Sequence, residues 1–152
     1  MCPIVADRYC TAGAVCAADS FTGRRRVQGI CVIGRPAALI KPTRTAYLAG
    51  QVSQDAEGAT VAKGDLAGQT EQALQNVAGA LESVGASFGD VAKLTIYVVD
   101  WEPSKMEALF AGIGAAAEKL GVDPVKPATL IGVAALFEPD YLIEIEATAV
   151  LA

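Results

Sequence analysis

The stretch Tyr141 to Val150 near the end of the chain constrains the fold most, because its residues alternate strictly in character. Side chains of a β-strand point in turn to opposite faces of a sheet. One face of this predicted strand is wholly apolar and carries Tyr141, Ile143, Ile145, Ala147 and Ala149. The other face is mixed and carries Leu142, Glu144, Glu146, Thr148 and Val150. The sequence therefore predicts a sheet with one face on a core and the other toward water, a partner subunit or a ligand.

Residues 46–152 predict a regular order of helices and strands. A short strand at 47–51 precedes a helix that begins after Asp65 and ends at Gly85. A strand at 91–99, a helix at about 104–120 and strands at 128–136 and 142–151 follow. This order favours an α+β fold with both helices on one face of the sheet.

The spacing of apolar residues also predicts which side chains face the core. Along the strand at 91–99, we expect Ala92, Leu94, Ile96 and Val98 to share the core face. The second helix is expected to end at Gly121. Its spacing predicts four buried side chains, which are Met106, Leu109, Phe110 and Ile113.

The first 45 residues differ in composition from the remainder, because all six arginines and all four cysteines of the chain lie there. Strands at 27–33 and 37–40, joined by a turn at Arg35-Pro36, would give a six-stranded, mostly antiparallel sheet. The cysteine spacings contain no C-x-x-C and the chain has no histidine, so we expect unpaired thiols and no metal site. We interpret residues 1–152 as one domain whose segment 1–45 is atypical.

The charge distribution argues against nucleic acid as a partner. Residues 45–152 carry five lysines against fifteen acids, a net charge of −10, whereas binding of phosphate backbones needs a basic surface. The basic cluster Arg24–Arg26 has no aromatic neighbours and is typical of a solvated loop.

Hydrophobicity and the first residues bear on the class of protein. With 53% hydrophobic residues but no apolar run of about 18 residues, the sequence favours an obligate oligomer over a membrane protein. Asp7 and Arg8 interrupt any signal peptide, so the expected location is cytoplasmic.

Several short motifs in residues 46–151 occur in the order, and with the gaps, of a known family. They include Tyr47–Gln51, Gly64-Asp65, Asp90–Lys93, Pro127-Ala128 and Ile143–Glu146. On these motifs the chain resembles the Rid family, also called YjgF, whose historical label is endoribonuclease L-PSP. The resemblance implies a chorismate-mutase-like fold and a homotrimer with ligand clefts between subunits. It also implies hydrolysis of reactive enamines and imines, such as 2-aminoacrylate, to ketoacids and ammonia. We expect no cofactor.

The chain departs from this family at the residues expected to hold the ligand. In the family an arginine directly after the Pro-Ala pair binds the substrate carboxylate through two N–H groups, but here Thr129 follows and no arginine exists after Arg44. Glu144 is retained where active members place a glutamate near the water and ammonia site, so it is the predicted catalytic residue. The predicted substrate-binding residues are Gly50, Thr129, Ala49 (in place of a serine) and Ile131 (in place of a cysteine).

Three functions remain open on the sequence. The first is a homotrimer that acts on or binds a small imine-, enamine- or ketoacid-like metabolite but hydrolyses 2-aminoacrylate poorly, because a threonine cannot neutralise a carboxylate. The second is a non-catalytic metabolite-binding or regulatory trimer, for which Glu144 need not react. The third is an endoribonuclease or translation inhibitor, which the acidic body and the missing histidine base disfavour.

Overall fold

The structure is a computed structural model that describes residues 37–40 and 44–151. Its order of elements from residue 45 onward is the predicted α+β order. Two single-turn 3₁₀ helices, Phe88–Asp90 and Pro103–Lys105, precede β3 and α2. The main elements are β1 (Ala37–Ile40), β2 (Thr45–Val52), α1 (Leu66–Ser83), β3 (Val91–Val99), α2 (Met106–Leu120), β4 (Ala128–Val133) and β5 (Ile143–Val150).

The described strands form one mixed sheet in the order β1-β2-β5-β3-β4. Only β3 and β4 run parallel, and the other three neighbouring pairs are antiparallel. The described sheet therefore contains five of the six predicted strands. The remaining predicted strand, at 27–33, its turn at Arg35-Pro36 and the cysteines lie outside the described residues.

Helix α1 has the boundaries that its sequence predicts. The Asp65 carboxylate accepts a hydrogen bond from the Ala67 amide at 3.0 Å, which caps an otherwise unpaired N–H of the first turn. Gly85 follows the helix with a φ of 76°, a conformation that favours glycine. The apolar stripe of the helix lies against the sheet and is buried at Leu66, Ala73, Leu74, Val77 and Leu81.

The two central strands bury the face that the alternation predicts, with one exception. All five apolar residues of the β5 region, from Tyr141 to Ala149, are at most 3% exposed. In β3, Leu94, Ile96 and Val98 are buried as expected. The prediction for Ala92 is wrong: it is exposed, because the pairing of β3 with β5 shifts register between Val91 and Lys93.

Helix α2 buries a different stripe from the one predicted. Leu109 is buried as expected, but Met106 is 42% and Phe110 61% exposed, so both of these predictions are wrong. The buried positions beside Leu109 are Gly112 and Ala116, while Ile113 is half-buried against the core. A Cβ added at Gly112 would overlap the Ala67 carbonyl oxygen of α1. Because the two helices approach at Gly112 and Ala116, Met106 and Phe110 of α2 turn outward.

The loops around α2 and β4 fix how far each element runs. Gly121 ends α2 in the left-handed conformation, with a φ of 65°, as the sequence predicts. Strand β4 ends at Val133, three residues earlier than predicted. Within the described part of the chain, no helix is long and apolar enough to cross a membrane.

Candidate functional site

The sheet face opposite the helices carries the polar side chains of three neighbouring strands. On β5 and β3, Glu144 pairs with Tyr97 and Glu146 pairs with Thr95. Strand β4 extends both rows, since Tyr97 also pairs with Ile131 and Thr95 with Thr129. We call this surface the open face. Its two central rows are Glu144–Tyr97–Ile131 and Glu146–Thr95–Thr129.

Strand β2 borders the open face with a bulge. The pairing of β2 with β5 shifts register between Leu48 and Gln51, so Ala49 and Gly50 lie in the irregular segment. The Gln51 side chain is only 3% exposed, and its Nε2 donates to the carbonyl oxygens of Ala49 at 2.9 Å and Gly50 at 3.3 Å. A buried amide that binds both carbonyls fixes the shape of the bulge.

Gly50 and Glu144 lie in direct contact across β2 and β5. A Cβ added at Gly50 would stand 2.5 Å from Cδ and 2.6 Å from Cγ of Glu144, and closer still to Oε1. The carboxyl group therefore occupies the space that any other residue at position 50 would fill. Of the predicted site residues, the structure brings these two together.

The two glutamates of β5 differ in their surroundings. Glu144 is half-buried, and this burial, together with the charge of Glu146, raises the pKa of its carboxyl group. Within the described residues, its carboxyl group has no hydrogen-bond partner. Glu146 instead accepts a hydrogen bond from the Tyr97 hydroxyl at 3.0 Å. That hydrogen bond, with a smaller contribution from burial, raises the pKa of Tyr97. Two carboxyl groups of one strand are thus placed in unlike environments.

The other predicted site residues lie farther from Glu144. Thr129 and Ile131 are exposed on β4, two strands from β5, which corresponds to about 10 Å at the usual strand spacing. The start of β4 is held by a hydrogen bond from the Leu94 amide to the Pro127 carbonyl oxygen at 2.8 Å. Ala49 is exposed in the bulge. These residues border the open face on either side of the carboxyl pair.

A depression lies beside the carboxyl pair on the open face, with a volume of about 240 Å³. Its polar lining includes Lys93, Thr95, Glu146 and Thr148, and Tyr47 of β2 closes one side. Glu144 is not part of its lining. The open face is thus hollow next to Glu146, within one row of the predicted catalytic residue.

Sequence reasoning missed the residues that hold the border of the site. Asn76 of α1 donates from Nδ2 to the carbonyl oxygens of Val52 at 2.8 Å and Gln54 at 3.0 Å, which fixes the end of β2. Gln51 fixes the bulge before it. Alternation from the buried Ala46 and Leu48 would place Gln51 on the open face, and only the bulge turns it into the core, so no periodic signal pointed to it.

Comparisons with known proteins agree with one another. The family model described as Endoribonuclease L-PSP matches residues 31–151. A RutC family protein of Pyrococcus horikoshii is 36% identical over 118 residues, which cover 77% of this chain and 87% of that protein. The human 2-iminobutanoate/2-iminopropanoate deaminase is 31% identical over 68 residues, 45% of this chain and 50% of that enzyme. A crystal structure of a Rid family protein of unknown function from Yersinia pestis shares 35% identity, with a TM-score of 0.62, over 77% of this chain and 100% of that one.

Proposed function

The chain belongs to the endoribonuclease L-PSP family, also called the Rid family, and we propose that it acts on or binds a small imine-, enamine- or ketoacid-like metabolite. The similarity to imine deaminases supports this class of ligand. We also propose that three copies assemble through the open face, so that ligand clefts form between subunits. A face with two half-buried carboxyl groups and a hollow beside them suits such an assembly better than plain solvent.

The observation that carries the proposal is the state of Glu144. General acid–base catalysis works best when the pKa of the catalytic group lies near the working pH. Burial against Gly50 raises the pKa of Glu144 in that direction. The neighbouring Glu146 is hydrogen-bonded by Tyr97 and differs in environment, and such pairs of unlike carboxyl groups are typical of acid–base sites.

In the proposed reaction, water hydrolyses the C=N bond of an imine. With the imine nitrogen already protonated, Glu144 takes a proton from the water as its oxygen bonds to the imine carbon, and the C=N π electrons move to the nitrogen, which becomes a neutral amine in a tetrahedral carbinolamine. Glu144 then gives its proton to this nitrogen, the C–N bond breaks as the hydroxyl oxygen forms the C=O bond, and the hydroxyl proton passes to the departing ammonia, which leaves as ammonium. Glu144 ends in the state in which it began, and no electron acceptor is needed.

The open face gives a reason to expect poor turnover of 2-aminoacrylate and the imine it forms. Thr129, which has no charge, stands where the family places its carboxylate-binding arginine. Two carboxyl groups in adjacent rows of the face disfavour a third carboxylate. Lys93 is the described cation on β3, but it lies beside Thr148, two rows from Glu144. Among imines and enamines, we therefore expect a better substrate than 2-aminoacrylate to lack the carboxylate that the arginine would bind.

A coupled assay tests this specificity. A dehydratase generates 2-aminoacrylate, and lactate dehydrogenase reports the pyruvate that hydrolysis releases. Losing a two-point charged contact costs several kcal/mol where the partner is buried, so we expect kcat/KM at least about a hundredfold below that of an arginine-bearing relative. Equal turnover by the two proteins would contradict the proposal.

Substitution of Glu144 separates an enzyme from a receptor. A thermal-shift screen of ketoacids, imine precursors and amine derivatives identifies a ligand first. The Glu144→Gln variant should then bind this ligand while its turnover falls to background. A ligand that binds both proteins and is converted by neither would favour a metabolite-binding regulator. Sedimentation of the purified protein as a monomer would remove the intersubunit cleft from either version.

A further inference from the structure

The Gln51 side chain lies on the helix side of β2, away from the open face. Its partner on β5 is Ile145, which is fully buried in the core. From this buried position its amide binds the carbonyl oxygens of Ala49 and Gly50. Burying an amide in the core costs free energy unless its polar atoms form hydrogen bonds there. The local need is the bulge, where the pairing of β2 with β5 shifts register at Ala49 and Gly50.

The bulge in turn bears directly on Glu144. The contact of Gly50 with the Glu144 side chain is so close that no Cβ fits between them. A small change in the course of the bulge would therefore either push the carboxyl group outward or open a gap beside it. The Ala49–Gly50 segment of backbone lies between the Gln51 amide and the Glu144 carboxyl group and contacts both.

We propose that Gln51 is a positioning residue which, by fixing the Ala49–Gly50 bulge, holds the Glu144 carboxyl group in its half-buried place on the open face. The catalytic meaning of this inference rests on the proposed function, whereas the structural coupling does not. The titratable groups that face Glu144 are Glu146 on its own strand and Tyr97 on β3. Residues 49–52 of β2 contribute none. Movement of the bulge therefore changes the burial of the carboxyl group without changing the charges around it.

The test is a ¹³C NMR titration of the Glu144 carboxyl group in the full-length protein, with the signal assigned by its loss in Glu144→Gln. The Gln51→Met variant keeps the length of the side chain and removes its donor. We expect the pKa of Glu144 to fall in this variant toward the ordinary value for glutamate. Where a substrate has been identified, kcat should fall about tenfold to a hundredfold with a smaller change in KM, as expected for a misplaced catalytic group.

A matched control separates positioning from loss of stability. The Thr70 hydroxyl on α1 is fully buried and donates to the Leu66 carbonyl oxygen at 2.7 Å. Thr70→Val removes this buried side-chain-to-backbone hydrogen bond without touching the bulge. Both variants should have a lower Tm, but only Gln51→Met should change the pKa of Glu144. An unchanged pKa in Gln51→Met, as in the control, would overturn the proposal.

A second variant keeps the test decisive if Gln51→Met unfolds. Gly50 has no positive φ, so an alanine is compatible with its backbone, and its clash is with a flexible side chain that can swing away. Gly50→Ala should therefore fold, displace the carboxyl group toward solvent and lower the pKa of Glu144. An unchanged pKa in Gly50→Ala would refute the coupling of the bulge to Glu144. The titration needs no substrate, so failure of the proposed reaction would not be confused with failure of this inference.

Discussion

The two faces of strand β5 lie in different environments, and different kinds of contact hold the side chains on each face. On the helix side, Ile143, Ile145 and Ala147 are buried by apolar contacts with α1 and the neighbouring strands. On the open face, Glu144 and Glu146 are only partly buried, and single contacts with Gly50 and Tyr97 set their positions. Side chains on the helix side are held by buried volume and apolar area, whereas the two glutamates on the open face are held by contacts with particular atoms.

This difference separates what holds the fold from what gives the site its chemistry. Apolar packing tolerates exchange of one hydrophobic residue for another of similar volume. The Glu144 carboxyl group keeps its place only with a glycine at position 50. Truncation of apolar side chains on the helix side of β5 should therefore change mainly stability, and substitutions at the two glutamates, or at the residues that position them, should change chemistry and pH dependence.

The largest effect is expected on the helix side. Ile145→Ala removes a fully buried side chain and should lower the free energy of unfolding by about 2–5 kcal/mol. Val150→Ala, on the other face of the same strand where Val150 is 51% exposed, should cost less than about 1 kcal/mol. Denaturant unfolding at fixed protein concentration measures both. Equal losses would mean that Val150 is packed as tightly as Ile145, as it would be if the proposed assembly of three copies covered it.

A large gain is expected on the open face at Thr129. Thr129→Arg supplies the guanidinium that the family resemblance implies, and kcat/KM for the imine formed from 2-aminoacrylate should rise about a hundredfold, or about 2.7 kcal/mol. Thr129→Lys is the matched control, because it adds the charge without two parallel N–H donors and should gain less. Unfolding free energies of both variants should stay close to that of the unmodified protein. No gain with arginine would show that position 129 does not face the ligand.

The contact between the two helices should respond to a single methyl group. Gly112→Ala places its Cβ against the Ala67 carbonyl and 2.6 Å from the Thr70 Cβ, and should cost about 1–3 kcal/mol. Gly114 lies on the same helix with nothing within 4 Å of an added Cβ. Gly114→Ala should therefore stabilise the protein by about 0.5–1 kcal/mol through helix propensity. Thermal unfolding of the pair measures the difference, and two changes of the same sign would contradict this account of α2.

The same contrast between the faces explains how far the sequence could predict the fold. Alternation identified every buried residue of β5, because burial of one face of a strand requires an apolar residue at every second position. It failed at Ala92, where a register shift in β3 inverts the pattern locally. It failed at Met106 and Phe110 because apolar size is a poor guide where helices meet at glycine, as at Gly112. Neither a register shift in a strand nor the close approach of two helices produces a periodic pattern in the sequence.

The candidate site was predictable only in part, for a related reason. Family resemblance pointed to Glu144 and Gly50, and the structure brings these two into contact. The role of Gln51 could not be read from the sequence, because it depends on a bulge whose position follows from the pairing of β2 with β5. Alternation alone places Gln51 on the same face as Ala49, and only the bulge turns its side chain into the core. Thr129 and Ile131 lie on the same face, and their role in ligand binding stays a prediction.

The smallest effect, and the finest test of the contrast, is the pH dependence of stability. Burial raises the pKa of Glu144 above its ordinary value of 4.5, so the folded protein holds this proton more tightly than the unfolded chain does. Stability due to Glu144 is then full at a pH below the unfolded pKa and is lost as the pH rises through the folded pKa. Glu144→Gln lacks this loss, so its free energy of unfolding relative to the unmodified protein should increase across that window and stay constant above it. Gly50→Ala, which exposes the carboxyl group, should flatten the same curve, while Val150→Ala should leave it unchanged. Parallel curves of unfolding free energy for Glu144→Gln and the unmodified protein from pH 4 to 8 would mean that the carboxyl group is as well solvated in the folded protein as in the unfolded chain. The two faces would then differ in packing alone.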